Sequence, residues 1–382
     1  MKRTGTDVVS GAAVEVTFDD SIGIVDHLIR PLSEGILLAP GWIDLQVNGF
    51  AGVDYNAPEA SPDEIARSIG ALFSRGVTRF FPTVITGSRE NMTAALRNLA
   101  KARESMAEGA AMEAFHVEGP YISPHDGPRG AHPARWVRPP DFDEFQRFQE
   151  AASGNIRLVT ISPEWEEAPR FIERVTQQGV VASIGHTRAT SGQIADAVSA
   201  GATMSTHLGN GADPMLPKTA NFLWDQLAED RLAASFIVDG FHLPAPFLIA
   251  ALRAKGLERS VLVSDAVMPA GCSPGRYRLG EVDVELHQDG SVRVAGETRL
   301  AGSALTMDRA ISNVIRSAGL SLRDAVTLAT RNPARVGRIA RRQRGLNPGD
   351  RADLVRFRFE EASGEIEIVE TFLNGELVYQ RG

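Results

Sequence analysis

The chain has 382 residues, 43% hydrophobic and 23% charged, a balance that sustains a large buried core and excludes a disordered or low-complexity polymer. A formal net charge of -8 offers no broad basic surface, so nucleic acid is not an expected partner. The single cysteine, Cys272, excludes an internal disulfide and any thiolate cage, so a bound metal would need nitrogen and oxygen ligands.

The first residues, MKRTGTDVVSGAAVEVTFDD, lack the apolar centre of a secretory signal, and no run of about 20 apolar residues follows anywhere; the expectation is a soluble, cytoplasmic protein with no membrane partner. Residues 1–38 carry short strand-forming pieces, AVEVTF, IGIVDHLI and GILLAP, separated by Gly, Asp and Pro. The tail repeats the pattern in EIEIVETF and ELVYQ, with a turn expected at Asn374-Gly375. Both termini, 1–38 and 340–382, are therefore expected to build one small β-sandwich domain.

Between them, over 39–339, short apolar runs alternate with helix-period segments, the rhythm of βα units and a parallel sheet. Eight runs can be counted: GWIDLQV, TRFFPTV, EAFHVEG, IRLVTIS, VVASIGH, TMSTHL, LAASFIVDG and SVLVSDA. Eight is the number that closes a (β/α)8 TIM-type barrel. Segments such as SPDEIARSIGALFSRG and SGQIADAVSAG open on a capping residue and end at Gly, as helices do. Residues 276–299 break the rhythm and read as an inserted hairpin after the eighth strand.

Ligand-type residues recur at the carboxyl ends of these runs, the face on which barrel enzymes carry their chemistry. Glu118 ends the third, His186 the fifth and His207 the sixth, while Asp265 stands in the eighth. Any one of them alone is more often a hydrogen-bonded structural residue; their convergence is the signal. Two imidazoles and one carboxylate leave a fourth position open, the ligand count of a catalytic metal site. Asp265 is then placed to move a proton between a metal-activated water and a leaving amine. His132 and His242 are candidate donors to a substrate carbonyl or hydroxyl.

The motifs APGWIDLQVNGFAGVDYN, FHVEGPYIS, GAHP, IGHTRAT, STHLGNGADPM, DGFHLP, LVSDAV and LAGSALTM resemble the N-acetylglucosamine-6-phosphate deacetylase family of the amidohydrolase superfamily over nearly the whole chain. The resemblance implies hydrolysis of the N-acetyl group of an amino sugar 6-phosphate by a homodimer. In that reading Glu118, His186 and His207 hold the metal, Asp265 is the acid/base, His132 polarises the carbonyl and His242 contacts the sugar. Main-chain amides of Asn210 and Gly211 would take the phosphate, and Leu300, Ala301, Gly302 and Ser303 would cover the acetyl group. Many amidohydrolases carry His-x-His on the first strand for a second metal, whereas this chain has Gln46-Val47-Asn48, which implies one divalent ion, zinc first and iron, cobalt or manganese as alternatives. Where some members have a phosphate-binding arginine this chain has Lys218, a candidate contact that cannot form a bidentate fork. Two other readings follow: the same site acting on another N-acyl amine, such as N-acetylgalactosamine 6-phosphate, or a catalytically silent binding protein on this fold.

Overall fold

The computed structural model describes residues 1–29 and 35–382. Eight parallel strands form one sheet in sequential order: β1 (Trp42–Val47), β2 (Val77–Ile85), β3 (Phe115–Glu118), β4 (Ile156–Ile161), β5 (Val181–Ile184), β6 (Met204–Ser205), β7 (Ala233–Ile237) and β8 (Ser260–Val263). The ring closes just beyond β8. Val47 bridges Ala266 in parallel, the Asn48 N–H donates to Ala266 O at 2.7 Å, and the Asp44 carboxylate accepts the Ser264 N–H at 3.2 Å. All eight strands coincide with the apolar runs counted in the sequence. All six residues of β1 are buried, the continuous burial that a barrel strand covered on both faces requires.

Helices pack outside the strands. The one after β1, Pro62–Phe73, begins with a capping box in which Ser61 and Glu64 exchange side-chain and main-chain bonds. After β5 the helix Ser191–Ser199 is capped by Thr190, one residue earlier than the SGQ segment suggested, again with a reciprocal partner, Gln193. Ala168–Gln177 buries Ala168, Phe171, Ile172 and Val175, the i, i+3, i+4, i+7 stripe of an amphipathic helix laid on a sheet.

Both termini contribute to a second sheet of seven strands, ordered Glu376–Gln380, Glu365–Leu373, Leu354–Glu360, Leu37–Pro40, Lys2–Asp7, Ala13–Phe18, Ile22–His27. Its neighbours are antiparallel except Lys2–Asp7 against Leu37–Pro40, which run parallel. The expected turn at Asn374-Gly375 is present, with both residues at positive φ, as a tight hairpin turn demands. The insertion after β8 holds three strands rather than two, Gly275–Leu279, Val282–Leu286 and Val292–Val294. Its Leu279, Val284 and Val292 pack on Val267 and Ala301, which fastens it over one side of the barrel mouth.

Candidate active site

The carboxyl ends of the strands open into a cavity of about 1100 Å³. Glu118 enters it from the last position of β3. His186, His207 and Asp265 each stand two residues past β5, β6 and β8, and all three have positive φ, +50°, +29° and +51°. Non-glycine residues in this region cost of order 1–3 kcal/mol each, so the surrounding fold holds them against strain. The turn out of each strand swings the side chain back over the barrel axis.

Those turns bring one oxygen of Glu118 to 2.9 Å from His207 Nε2 and 3.3 Å from His186 Nε2. The three donor atoms all lie within 4.8 Å of one another and the three residues are buried. His186 Nδ1–H donates to Pro128 O at 2.8 Å, which fixes its ring and points Nε2 at Glu118. Among the described residues the buried His207 Nδ1 has no hydrogen-bond partner. Burial alone would raise the Glu118 pKa, but hydrogen bonds from His186 and His207 outweigh it and hold the carboxyl well below its usual range. A carboxylate and two imidazole nitrogens converging at this spacing, without a lysine or arginine among them, fit a divalent cation, which would replace the protons these nitrogens give to Glu118.

Asp265 faces this cluster. Its Oδ1 accepts from Asn48 Nδ2 at 2.7 Å and Gln46 Nε2 at 3.0 Å, and Gln46 Nε2 also lies 3.0 Å from Glu118 Oε1. Both bonds fall on Oδ1; among the described residues none falls on Oδ2. Burial, then the Glu118 charge, pushes the Asp265 pKa up to about 6, into the range useful for proton transfer near neutrality. Gln46 and Asn48, which stand where many amidohydrolases carry His-x-His, serve here as amide donors: Gln46 bridges the two carboxylates and Asn48 binds Asp265.

His132 lies against His186, ring centroids 4.6 Å apart, with Nδ1 at 2.9 Å from Thr86 Oγ1. Burial, then His186, pushes its pKa down to about 3, so the ring is neutral. Thr86 Oγ1 also lies 3.5 Å from Glu118 O, so this hydroxyl links the His132 ring to the end of β3. His242 lines the cavity with Nδ1 bound to Asp239 Oδ2 at 2.7 Å, and Asp239 Oδ1 also accepts the N–H groups of Phe241 and His242, which stiffens that loop.

Asn210, Gly211, Leu300, Ala301 and Gly302 line the cavity too. The Asn210 N–H already donates to His207 O at 3.0 Å, whereas among the described residues the Gly211 N–H has no acceptor. A Cβ at position 211 would stand 2.7 Å from His186 Nδ1, so glycine alone lets this loop pass over the His186 ring. Ser303 sits behind the wall: its N–H donates to Asp265 O and its hydroxyl to Ser264 O, joining the 300–303 loop to the turn that carries Asp265. Lys218 is exposed and outside the cavity lining.

Sequence reasoning passed over Thr86, Asp239 and His116. The last is fully buried in β3, two residues before Glu118 and so on the same strand face, an alternation that would have singled it out.

The sequence pattern of the Amidohydrolase family matches residues 37–378. A bovine N-acetylglucosamine-6-phosphate deacetylase is 35% identical over 358 residues, covering 91% of this chain and 84% of its own. An N-acetylgalactosamine-6-phosphate deacetylase of Escherichia coli O157:H7 is 33% identical over 320 residues, covering 84% and 83%. Among solved structures, a mutant N-acetyl-D-glucosamine-6-phosphate deacetylase from Mycobacterium smegmatis in complex with N-acetyl-D-glucosamine-6-phosphate superposes with a TM-score of 0.87 at 29% identity, over 99% of both chains. The strand-end constellation and these likenesses agree: this chain belongs to the amidohydrolase family, among the amino sugar phosphate deacetylases.

Proposed function

We propose that the protein hydrolyses the N-acetyl group of N-acetylglucosamine 6-phosphate, giving acetate and glucosamine 6-phosphate. The observation that carries this reading is the convergence of Glu118, His186 and His207 opposite Asp265 at one end of a cavity whose other walls offer a free main-chain amide. One divalent ion, zinc by preference for two imidazoles and a carboxylate, would be held by those three residues; bound there, it supplies the Lewis acidity that makes water nucleophilic at neutral pH. Support for a single ion comes from β1. Gln46 Nε2 occupies the space between Glu118 and Asp265 with N–H donors, which neutralise carboxylate charge where a second cation would otherwise sit.

Asp265 takes the proton of the attacking water on Oδ2 and returns it to the nitrogen as the C–N bond breaks. A pKa near 6 leaves it ionised at the start of the cycle and basic enough to be protonated within it. His132 is kept neutral by burial and, in the tautomer with its proton on Nε2, donates to the carbonyl oxygen as negative charge grows there. The sugar lies towards His242, its phosphate on the Gly211 amide, and the acetyl methyl meets Leu300, Ala301 and Gly302. Lys218 lies outside the cavity lining of its own chain, and we assign it to a homodimer in which it reaches the partner's cavity. The setting is cytoplasmic metabolism; no helix among the described residues is long and apolar enough to cross a membrane.

The galacto epimer is a second reading, favoured by the 33% identity to the Escherichia coli relative. An acetate-release assay on both epimers, with and without the 6-phosphate and with metal content measured on the same sample, tests all of this. Turnover of the gluco phosphate with about one metal per chain is the expected outcome; metal-free protein inert on every substrate after zinc addition would refute it.

A further inference from the structure

Beneath the three proposed ligands runs a continuous chain of buried polar side chains. The Val47 N–H of β1 donates to Thr83 Oγ1 of β2 at 3.1 Å; Thr83 Oγ1 lies 3.3 Å from His116 Nδ1 of β3; His116 Nε2 lies 2.8 Å from Thr160 Oγ1 of β4. Thr160 Oγ1 meets Thr206 Oγ1, just past β6, at 2.7 Å, and Thr206 Oγ1 meets Ser183 Oγ of β5 at 2.6 Å. Each of these side chains is at most 2% exposed. Polar groups in the centre of a barrel are costly unless every one is paired, so a run spanning six strands needs a reason.

Only one direction of donation uses every proton. Thr83 also lies 3.1 Å from Phe81 O, an acceptor alone, so its hydroxyl donates there and accepts from His116 Nδ1–H. His116 Nε2 then accepts from Thr160, Thr160 from Thr206, and Thr206 from Ser183. The reverse direction would end at Ser183 with a proton that has no acceptor. A unidirectional chain in a dry interior strengthens each of its bonds through the next.

Its members stand next to the ligands. His116 is two residues before Glu118 on the same strand, Thr206 immediately precedes His207, and Ser183 is three residues before His186. Between the last two passes Gly185, where a Cβ would lie 2.8 Å from Thr160 Cγ2 and 2.9 Å from Thr206 Cβ; the strand that delivers His186 can approach the chain only because that residue is glycine.

We propose that His116, Thr160, Thr206 and Ser183 are positioning residues for the metal site: their hydrogen-bonded chain sets the relative heights of β3, β5 and β6, and thereby the spacing of Glu118, His186 and His207 before any ion arrives. The inference rests on the metal reading above. Preorganisation of this kind is worth about 10–100-fold in metal affinity when an outer partner is removed.

The test measures zinc dissociation constants by competition with a chromophoric chelator, alongside thermal melts of the metal-free proteins. Thr206→Val keeps the shape and breaks the chain at its middle; zinc binding should weaken by about 10–100-fold. Thr206→Ser keeps the hydroxyl and should restore most of the loss. Ser183→Ala removes the terminal donor with little change in volume, should weaken zinc binding by less than Thr206→Val, and serves alone if Thr206→Val does not fold. Zinc binding by either hydroxyl-deleted variant equal to that of the parent, or a loss in Thr206→Ser as large as in Thr206→Val, overturns the proposal. A parent protein that binds no zinc removes the metal reading itself.

Discussion

The barrel buries charge at both ends, and the two ends treat it oppositely. At the end away from the cavity, Asp353 accepts from Arg79 Nε at 2.8 Å and Nη2 at 2.9 Å, from Arg342 Nη1 at 2.5 Å and from the Asn374 N–H at 2.8 Å, so the carboxylate is fully partnered. Arg342 also donates to Gly41 O at 2.6 Å, tying the C-terminal segment to the start of β1. At the mouth, Glu118 and Asp265 share one amide donor, and among the described residues Asp265 Oδ2, His207 Nδ1 and Asn48 Oδ1 have no hydrogen-bond partner. The closed cluster fastens the terminal segments to the barrel. The open one stores unsatisfied polarity and strained backbone where a cation and a substrate would satisfy them.

The largest effect should come from the open end. Asp265→Asn keeps the side chain's size and one acceptor but removes the base; turnover in the acetate-release assay should fall about 10²–10⁴-fold. Metal content should stay at the parent level, since the three proposed ligands are untouched. Equal loss of metal and activity would instead place Asp265 among the ligands.

The closed end should respond in stability and leave the chemistry alone. Asp353→Ala takes from Arg342 the only buried carboxylate it meets among the described residues and leaves Arg79 with Glu113 alone at 3.5 Å; it should cost about 3–5 kcal/mol in denaturant unfolding, with KM of the surviving folded enzyme unchanged. Its pH dependence follows from the depressed pKa: burial opposes ionisation, but the charges of Arg342 and Arg79 overcome it. A carboxylate whose folded pKa lies below its unfolded value, about 3.9, stabilises the fold above that value and loses the contribution as pH falls through the folded one. The gap between parent and Asp353→Ala should therefore be constant from neutrality down to about pH 5 and shrink below about pH 4. A gap that widens on acidification would mean that the cluster is held by something other than the Asp353 charge.

A smaller change at the mouth probes the tautomer of His132. Thr86→Val removes the hydroxyl that holds Nδ1 at 2.9 Å and leaves the ring free to change tautomer. We expect kcat to drop about tenfold with little change in KM, less than removal of a whole electrostatic donor costs. An unchanged kcat would take carbonyl polarisation away from His132.

The same contrast explains what could be read from the sequence. Barrel strands are buried on both faces, so IRLVTIS and SVLVSDA stand out as apolar runs, and a carboxylate or imidazole at the end of such a run breaks the pattern visibly. Glu118, His186, His207 and Asp265 were legible for that reason. Asp353 was not: its partners are 274 and 11 residues away, and nothing local distinguishes an aspartate that meets two arginines from one in a loop. His116 escaped because a histidine inside an apolar run resembles an ordinary core residue until the threonines of neighbouring strands are placed beside it. The third strand of the insertion, Val292–Val294, is three residues long and follows a turn, too brief to show a period.

The finest test concerns the part of the mouth that is still incomplete. Within one chain the wall around Gly211 offers a free amide, and the nearby Arg188 is paired with Asp213; the arginines that line the cavity, Arg278 and Arg299, belong to the insertion and the loop after it. A phosphate dianion held by one amide alone would bind weakly, since charge-assisted bonds are roughly twice as strong as neutral ones. If Lys218 of a second copy supplies the missing charge, Lys218→Ala should raise KM for the 6-phosphate about tenfold, leave kcat nearly intact, and leave KM for the unphosphorylated sugar unchanged. Raised ionic strength should mimic it, because an ammonium exposed on one copy and reaching another is screened over a few ångströms of solvent. An unaltered KM would shift the phosphate towards Arg278 and Arg299, and the same assay on Arg299→Ala would then show the phosphate-dependent loss that Lys218→Ala did not.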